Sequence, residues 1–129
     1  MIAWRAYLAV GLGSALGAVL RYLISLAMVT PAFPWATLAV NALGSWLIAA
    51  FAAYAARRTT GRVARWQPFL VAGFCGGFTT FSLFGLEVLR LLDAGVPWRA
   101  GAYLLVSAAL WLTAAWHGDR VGRRAAALN

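Results

Sequence analysis

Acidic residues are almost missing from this chain of 129 residues: Glu87, Asp93 and Asp119 stand against eleven basic residues. Lysine is absent, so every basic residue is an arginine. Histidine and cysteine occur once each, as His117 and Cys75. A single cysteine forms no internal bridge and says nothing of redox compartment. One His and one Cys make no metal cluster of those ligands. No CxxC, HExxH, P-loop or dinucleotide-binding fingerprint occurs, and no catalytic constellation supports an enzyme. Charged residues make up 11% of the chain and apolar ones 64%, where soluble domains average about 25% and about 45–50%. One small domain cannot bury that much apolar surface in itself. A small disulfide-stapled domain, a disordered tail and an ordinary soluble enzyme are excluded, and a bilayer is the economical cover.

What is present is long apolar runs. A hydrocarbon core of about 30 Å needs roughly 20 helical residues. Four stretches qualify, near residues 4–29, 35–56, 68–92 and 98–116 of one transmembrane domain covering 1–129. Thr30-Pro31-Ala32-Phe33-Pro34 separates the first two, Arg57 to Arg65 reads as the clearest loop, and Asp93-Ala94-Gly95-Val96-Pro97 turns the chain before the fourth. A polar tail is expected from His117. Trp4, Trp35, Trp66, Trp98 and Trp116 fall near span ends, as interfacial rings do. Trp46 and Trp111 do not fit that belt and should pack inside or face lipid.

The net charge of +8 resembles a nucleic-acid signal, but the arginines form short clusters between apolar runs, not one stripe, so nucleic acid is not expected as a partner. With four spans, both termini share a side. Arg5, Arg57, Arg58, Arg62, Arg65, Arg120, Arg123 and Arg124 lie there, against Arg90, Arg99 and arguably Arg21 on the other. The positive-inside rule then puts both termini in the cytoplasm.

Small residues mark helix contacts: Gly13 and Gly17 in span one and Gly73 and Gly77 in span three are each a GxxxG. The pattern LGSxLxA occurs at 12–18 and 43–49, read as two packing faces and not as a repeat.

Several polar residues stand where hydrocarbon should be. Arg21, deep in span one, either snorkels to the interface or makes an electropositive vestibule. Asn41 shares a helix face with Thr37. It either bonds between helices or offers its N–H donors to an anion. Span three holds Gly76-Gly77-Phe78-Thr79-Thr80 at its middle, where a transmembrane helix breaks. A break frees carbonyls for a cation and N–H groups for an anion. A packing surface would explain the glycines but not the paired threonines. Phe81 and Phe84 follow at spacing three, and ring edges are positive enough to meet a dehydrated anion. Glu87 is a rare carboxylate within a span. Tyr103 and Ser107, with Thr113 further on, either line a polar track or join helices.

Gly17-Ala18-x-x-Arg21-Tyr22, Thr37-Leu38-x-Val40-Asn41-x-x-Gly44 and Gly73 through Phe84 to Glu87 together resemble the CrcB/Fluc family of fluoride channels along the whole chain. The resemblance implies an all-α membrane protein of four transmembrane helices, the third broken near its middle. It implies an antiparallel dual-topology dimer in a bacterial inner membrane that passively exports fluoride and lowers its toxicity. It implies a structural Na+ ion at the dimer centre, held by the backbone carbonyls of Gly76 and Thr79. By motif position, Asn41, Phe81, Phe84, Arg21 and Glu87 belong to the pore, joined by Ser82, Thr37, Tyr103 and Ser107 as polar-track members. Leu83 stands where the family often has threonine, and Gly85 where serine is common. The arginine bias favours one orientation, so the partner is either a second copy or an oppositely inserted paralogue. Two other readings are a small multidrug-resistance exporter, which needs the carboxylate that span one lacks, and a non-conducting assembly subunit.

Overall fold

In the computed structural model, residues 3–29, 32–57 and 61–128 are described. Thr30, Pro31, Arg58, Thr59 and Thr60, all assigned above to loops, lie outside them. The chain is all-helical. Helix α1 is Ala3–Ala27 and α2 is Trp35–Ala55. The third span is composite. It runs through α3 (Gly61–Gln67), a wider π-helical stretch (Pro68–Cys75), the single turn α4 (Gly76–Phe78) and, after a break, α5 (Phe81–Asp93). Helix α6 is Pro97–Ala127. Four helical stretches are long and apolar enough to cross a membrane: Ala3–Ala27, Trp35–Ala55, Gly61–Asp93 and Pro97–Ala127.

Two of the expected boundaries move. The part of the expected loop from Gly61 to Arg65 is helical, within Gly61–Gln67. Helix α6 continues eleven residues past Trp116, where a polar tail was expected. The cause is common to both. Hydropathy marks where a chain leaves the hydrocarbon, not where its helix stops. No proline interrupts Arg62–Gln67 or His117–Ala127. Beyond the apolar stretch of α6, Arg123 Nε donates to Asp119 Oδ2 at 2.7 Å, one turn away, and that bond holds the Asp119 carboxyl below its ordinary pKa. At 31 residues, α6 is about 46 Å long and overshoots a core of about 30 Å.

Packing follows the small residues. Helix α1 lies along the first half of the third span, and α2 lies along α6. Gly13 and Gly17 meet Gly73 and Gly77 as a mutual pair of GxxxG faces. A side-chain carbon at Gly13 would strike the Phe69 carbonyl, at Gly17 the Phe74 carbonyl, at Gly73 the Val10 carbonyl and at Gly77 the Ser14 carbonyl. Backbones this close exchange dispersion contacts that lipid cannot replace. A third such motif was hidden in the expected tail. Gly118 and Gly122 press α6 onto the carbonyls of Trp46 and Ala50 in α2. The two LGSxLxA segments are packing faces as expected, with Gly44 seated on Thr79 and Phe78.

Gly95, at φ +73°, closes α5, and the Gly95 and Val96 N–H groups cap the carbonyls of Leu92 and Leu91 at 2.9 and 3.1 Å. Pro97 then opens α6, where its missing N–H costs nothing.

Gly77→Val should lower the thermal stability of the purified protein by about 2–3 kcal/mol through overpacking. Gly11→Ala, at a glycine with nothing within 4 Å, should leave it unchanged. Thermal unfolding followed by near-ultraviolet circular dichroism in detergent distinguishes the two.

Candidate functional site

The site is organised by the break in the third span. The glycines do not make it. Gly76 and Gly77 are helical, and Gly77 is spent on packing against α1. Thr79 and Thr80 make it, with extended backbones at φ −84°, ψ 157° and φ −151°, ψ 121°. Extended conformations suit β-branched residues. Thr79 ties back to the end of the π-helical stretch, giving both its N–H and its Oγ1–H to the Cys75 carbonyl at 3.0 and 2.9 Å. Thr80 starts α5 as its N-cap, its Oγ1 accepting from Leu83 N–H at 3.2 Å.

Asn41 fixes this geometry from α2. Its Nδ2 donates to the Thr80 carbonyl and its Oδ1 accepts from Thr80 N–H, both at 2.8 Å. One amide thus replaces both backbone partners that Thr80 would have in a helix. The interhelical bond expected for Asn41 is therefore present, and one N–H of its amide remains beyond that pair.

These bonds decide which carbonyls are released. In a continuous helix Gly76 O would accept from Thr80 N–H and Thr79 O from Leu83 N–H. Those two donors instead serve Asn41 and Thr80 Oγ1. Gly76 is exposed, and a side-chain carbon there would meet nothing within 4 Å. The Gly76 and Thr79 carbonyls are hard oxygen donors without their helical partners, the chemistry that suits a small hard cation. A third carbonyl at the break, Gly77 O, accepts from Arg21 Nε at 3.2 Å. Arg21 is half-buried and anchored at the break, where a helix C-terminus favours positive charge.

Phe81 and Phe84 are neighbours, with ring centroids 5.6 Å apart, but their surroundings differ sharply. Phe81 is 78% exposed and Phe84 only 4%. Phe84 meets Tyr103 edge-on at 4.9 Å and Trp111 edge-on at 4.8 Å, and Phe33 adds a further edge contact to Tyr103 at 5.2 Å. Trp111 also donates to the Leu38 carbonyl at 3.3 Å, so this off-belt tryptophan packs inside. Trp46 donates to His117 Nδ1 at 2.9 Å.

Glu87 joins three helices. Its Oε1 accepts from Thr37 Oγ1 and its Oε2 from Tyr103 Oη, both at 2.7 Å. Thr37 and Tyr103 are buried. Ser107, one turn beyond Tyr103, is fully buried, and its hydroxyl has no partner among the described residues. Ser82 is exposed, 3.4 Å from Thr80 across their hydroxyls. Thr113 leaves the expected track: it is exposed and bonds back to the Ala109 carbonyl of its own helix.

Two cavities flank this cluster. One, of about 300 Å³, is lined by Asn41, Gly44, Ser45, Thr80, Phe81 and Trp111 among others. The other, of about 520 Å³, opens near the end of α5 beside Thr37, Leu83, Glu87 and Arg90. Sequence reasoning missed Ser45, Trp111 and Arg90 as cavity residues. Arg90 stands three positions after Glu87 on one helix face, a spacing that could have found it. Nothing local marked Ser45 or Trp111, because the tertiary fold brings them there.

Asn41→Ala should strand the Thr80 N–H and carbonyl inside the membrane and cost about 2–4 kcal/mol of thermal stability. Asn41→Asp keeps the acceptor for Thr80 N–H and, when protonated, offers an O–H donor to the Thr80 carbonyl, so it should lose less in that form. Unfolding midpoints of the two variants, measured side by side in detergent, check this ordering.

Comparison with known proteins agrees with the arrangement. The profile of a family described as "CrcB-like protein, Camphor Resistance (CrcB)" matches residues 8–119. The protein named "Fluoride-specific ion channel FluC 1" of Bradyrhizobium diazoefficiens is 42% identical over 128 residues, covering 94% of this chain and 89% of that protein. "Fluoride-specific ion channel FluC" of Rhizobium etli is 42% identical over 117 residues, covering 88% and 93%. The protein of the same name in Paramagnetospirillum magneticum is 43% identical over 118 residues, covering 87% and 91%. With a family profile spanning most of its length and relatives this similar end to end, the chain is a multi-pass membrane protein that belongs to the CrcB family.

Proposed function

We propose that the protein is a fluoride-selective channel, not an enzyme, that lets fluoride leave the cytoplasm passively across a bacterial inner membrane. The observation that carries this reading is the Asn41–Thr80 pairing, which breaks the third span beside Phe81 and opens it onto a cavity. The names of the relatives supply the ion. Fluoride is small and strongly hydrated, so stripping its water needs many positive partners, none of them tight. Conduction requires attraction that still lets the ion leave. The pore we assign uses Arg21, the remaining Asn41 N–H, the first N–H groups of α5 and the ring edges of Phe81 and Phe84. Thr37, Ser82, Tyr103 and Ser107 supply hydroxyls along it, and Glu87 orients two of them through its bonds to Thr37 and Tyr103.

The working unit in this reading is two copies inserted in opposite directions. Phe81 and Gly76 are exposed on a single copy, and the Gly76 and Thr79 carbonyls of one copy give two oxygen donors at the break. Two copies offer four, a set suited to a structural Na+ held by Gly76 and Thr79 of each. Such an ion supplies fixed positive charge near the pore and fastens the subunits. The arginine distribution favours a second reading of the partner, a paralogue inserted the other way.

Liposomes loaded with fluoride should show rapid voltage-driven efflux through the purified protein and little chloride flux. Phe81→Ile should reduce that efflux at least about tenfold with no loss of stability, because Phe81 is largely free of its own subunit. Phe84→Ile should lose both flux and about 1–3 kcal/mol of stability, since Phe84 is core. Silence from the folded protein alone, with flux restored by an oppositely inserted paralogue, would replace the homodimer. Silence in both preparations would end the channel reading.

A further inference from the structure

We propose that the groove between α1 and α3, on the side of the membrane that carries the termini, is a binding site for an anionic phospholipid. This inference does not depend on what the protein conducts. The groove measures about 850 Å³. Arg5 of α1 and Arg62 and Arg65 of α3 converge at it, and Leu8, Leu12 and Phe69 make its apolar wall. Trp66 lies between the two parts and meets Phe69 edge-on at 5.6 Å.

The order of these residues matches the order of groups in a lipid. On α1, Arg5, Leu8 and Leu12 follow at spacings of three and four, so they run down one face of the helix from its terminus toward the membrane interior. A molecule lying along that face meets charge first, then hydrocarbon. Leu8 and Leu12 are more than half exposed within the subunit. Arginine's forked donors suit a phosphate, and basic pockets between helices at the cytoplasmic rim hold anionic headgroups.

Among the described residues the charge has no internal answer. The chain has three side-chain carboxylates. Glu87 accepts from Thr37 and Tyr103, Asp119 is bound by Arg123, and Asp93 ends α5 on the opposite side of the membrane. The three groove arginines meet no carboxylate among the described residues, and an anion from outside the chain can supply their counter-charge. A soluble anion would answer the arginines and leave the wall of Leu8, Leu12 and Phe69 unexplained. A diacyl lipid with an acidic headgroup answers both.

Native mass spectrometry of the full-length protein in detergent tests this, with dioleoyl-phosphatidylglycerol and dioleoyl-phosphatidylcholine supplied in equal amounts. The wild-type protein should retain the acidic lipid about tenfold over the zwitterionic one, a difference of about 1.4 kcal/mol. Arg5→Gln, Arg62→Gln and Arg65→Gln together should reduce that preference to about twofold or less. Arg120→Gln, Arg123→Gln and Arg124→Gln together remove the same charge elsewhere on that side and should leave it intact. Leu8→Ser with Leu12→Ser should also weaken retention. No preference in the wild type, or equal loss in both arginine variants, would overturn the site. Retention insensitive to Leu8→Ser with Leu12→Ser and abolished by inorganic phosphate would overturn it too, as a bare anion site.

Discussion

The amide of Asn41, paired with both backbone groups of Thr80, is the interaction on which the middle of this protein depends. A chain inside a bilayer cannot leave its N–H and carbonyl groups unpaired, because no water is there to take them. An interrupted helix is tolerated only if something substitutes for the lost partners. Asn41 substitutes for both at one residue, and it does so from a neighbouring helix, so the break is fixed in position as well as permitted. The rest follows in sequence. Thr80 N–H turns to Asn41, Leu83 N–H turns to the Thr80 hydroxyl, and the carbonyls of Gly76 and Thr79 lose their helical donors. Arg21 reaches Gly77 O at the same break.

A clamp of this kind works only if the helices it joins cannot drift. The four packing glycines of α1 and the third span hold one side, and Gly118 and Gly122 hold α6 against α2 on the other. Glycine and threonine thus divide the labour in the central motif. Gly73 and Gly77 let α1 approach, and Thr79 and Thr80 leave the helix. The aromatic group of Phe33, Phe84, Tyr103 and Trp111 fills the space between α5 and α6. Phe84 is locked there, whereas Phe81 stands 78% exposed beside it.

Much of this was legible in the sequence because membrane chains speak through exceptions. Four apolar runs gave the spans, and Asn41, Arg21 and Glu87 stood out because hydrocarbon excludes such groups unless they are paired. Span three betrayed its break through paired threonines that packing alone could not explain. What the sequence hid has physical causes. Helix ends beyond the membrane carry no hydropathy signal, so the helical character of Gly61–Gln67 and His117–Ala127 went unread. The Gly118–Gly122 motif was lost with them. The partners of Asn41 and Glu87 lie 39 residues or more away for Thr80 and Thr37, and 16 for Tyr103. Spacing along one helix says nothing about such pairs.

The scarcity of acid in the chain is itself part of the design of the site. A carboxylate left bare near a path for anions would repel them, and a carboxylate deep in a membrane is costly without partners. Glu87 is not bare: it accepts two short hydrogen bonds from Thr37 and Tyr103, one to each oxygen, which tie α5 to α2 and α6. Among the described residues the arginines make no ion pair except where Asp119 answers Arg123. One of them, Arg21, is drawn into the break by a carbonyl, while those at the rim face the headgroup region. The arginine excess that favours one orientation under the positive-inside rule includes the three arginines of the proposed acidic-lipid site.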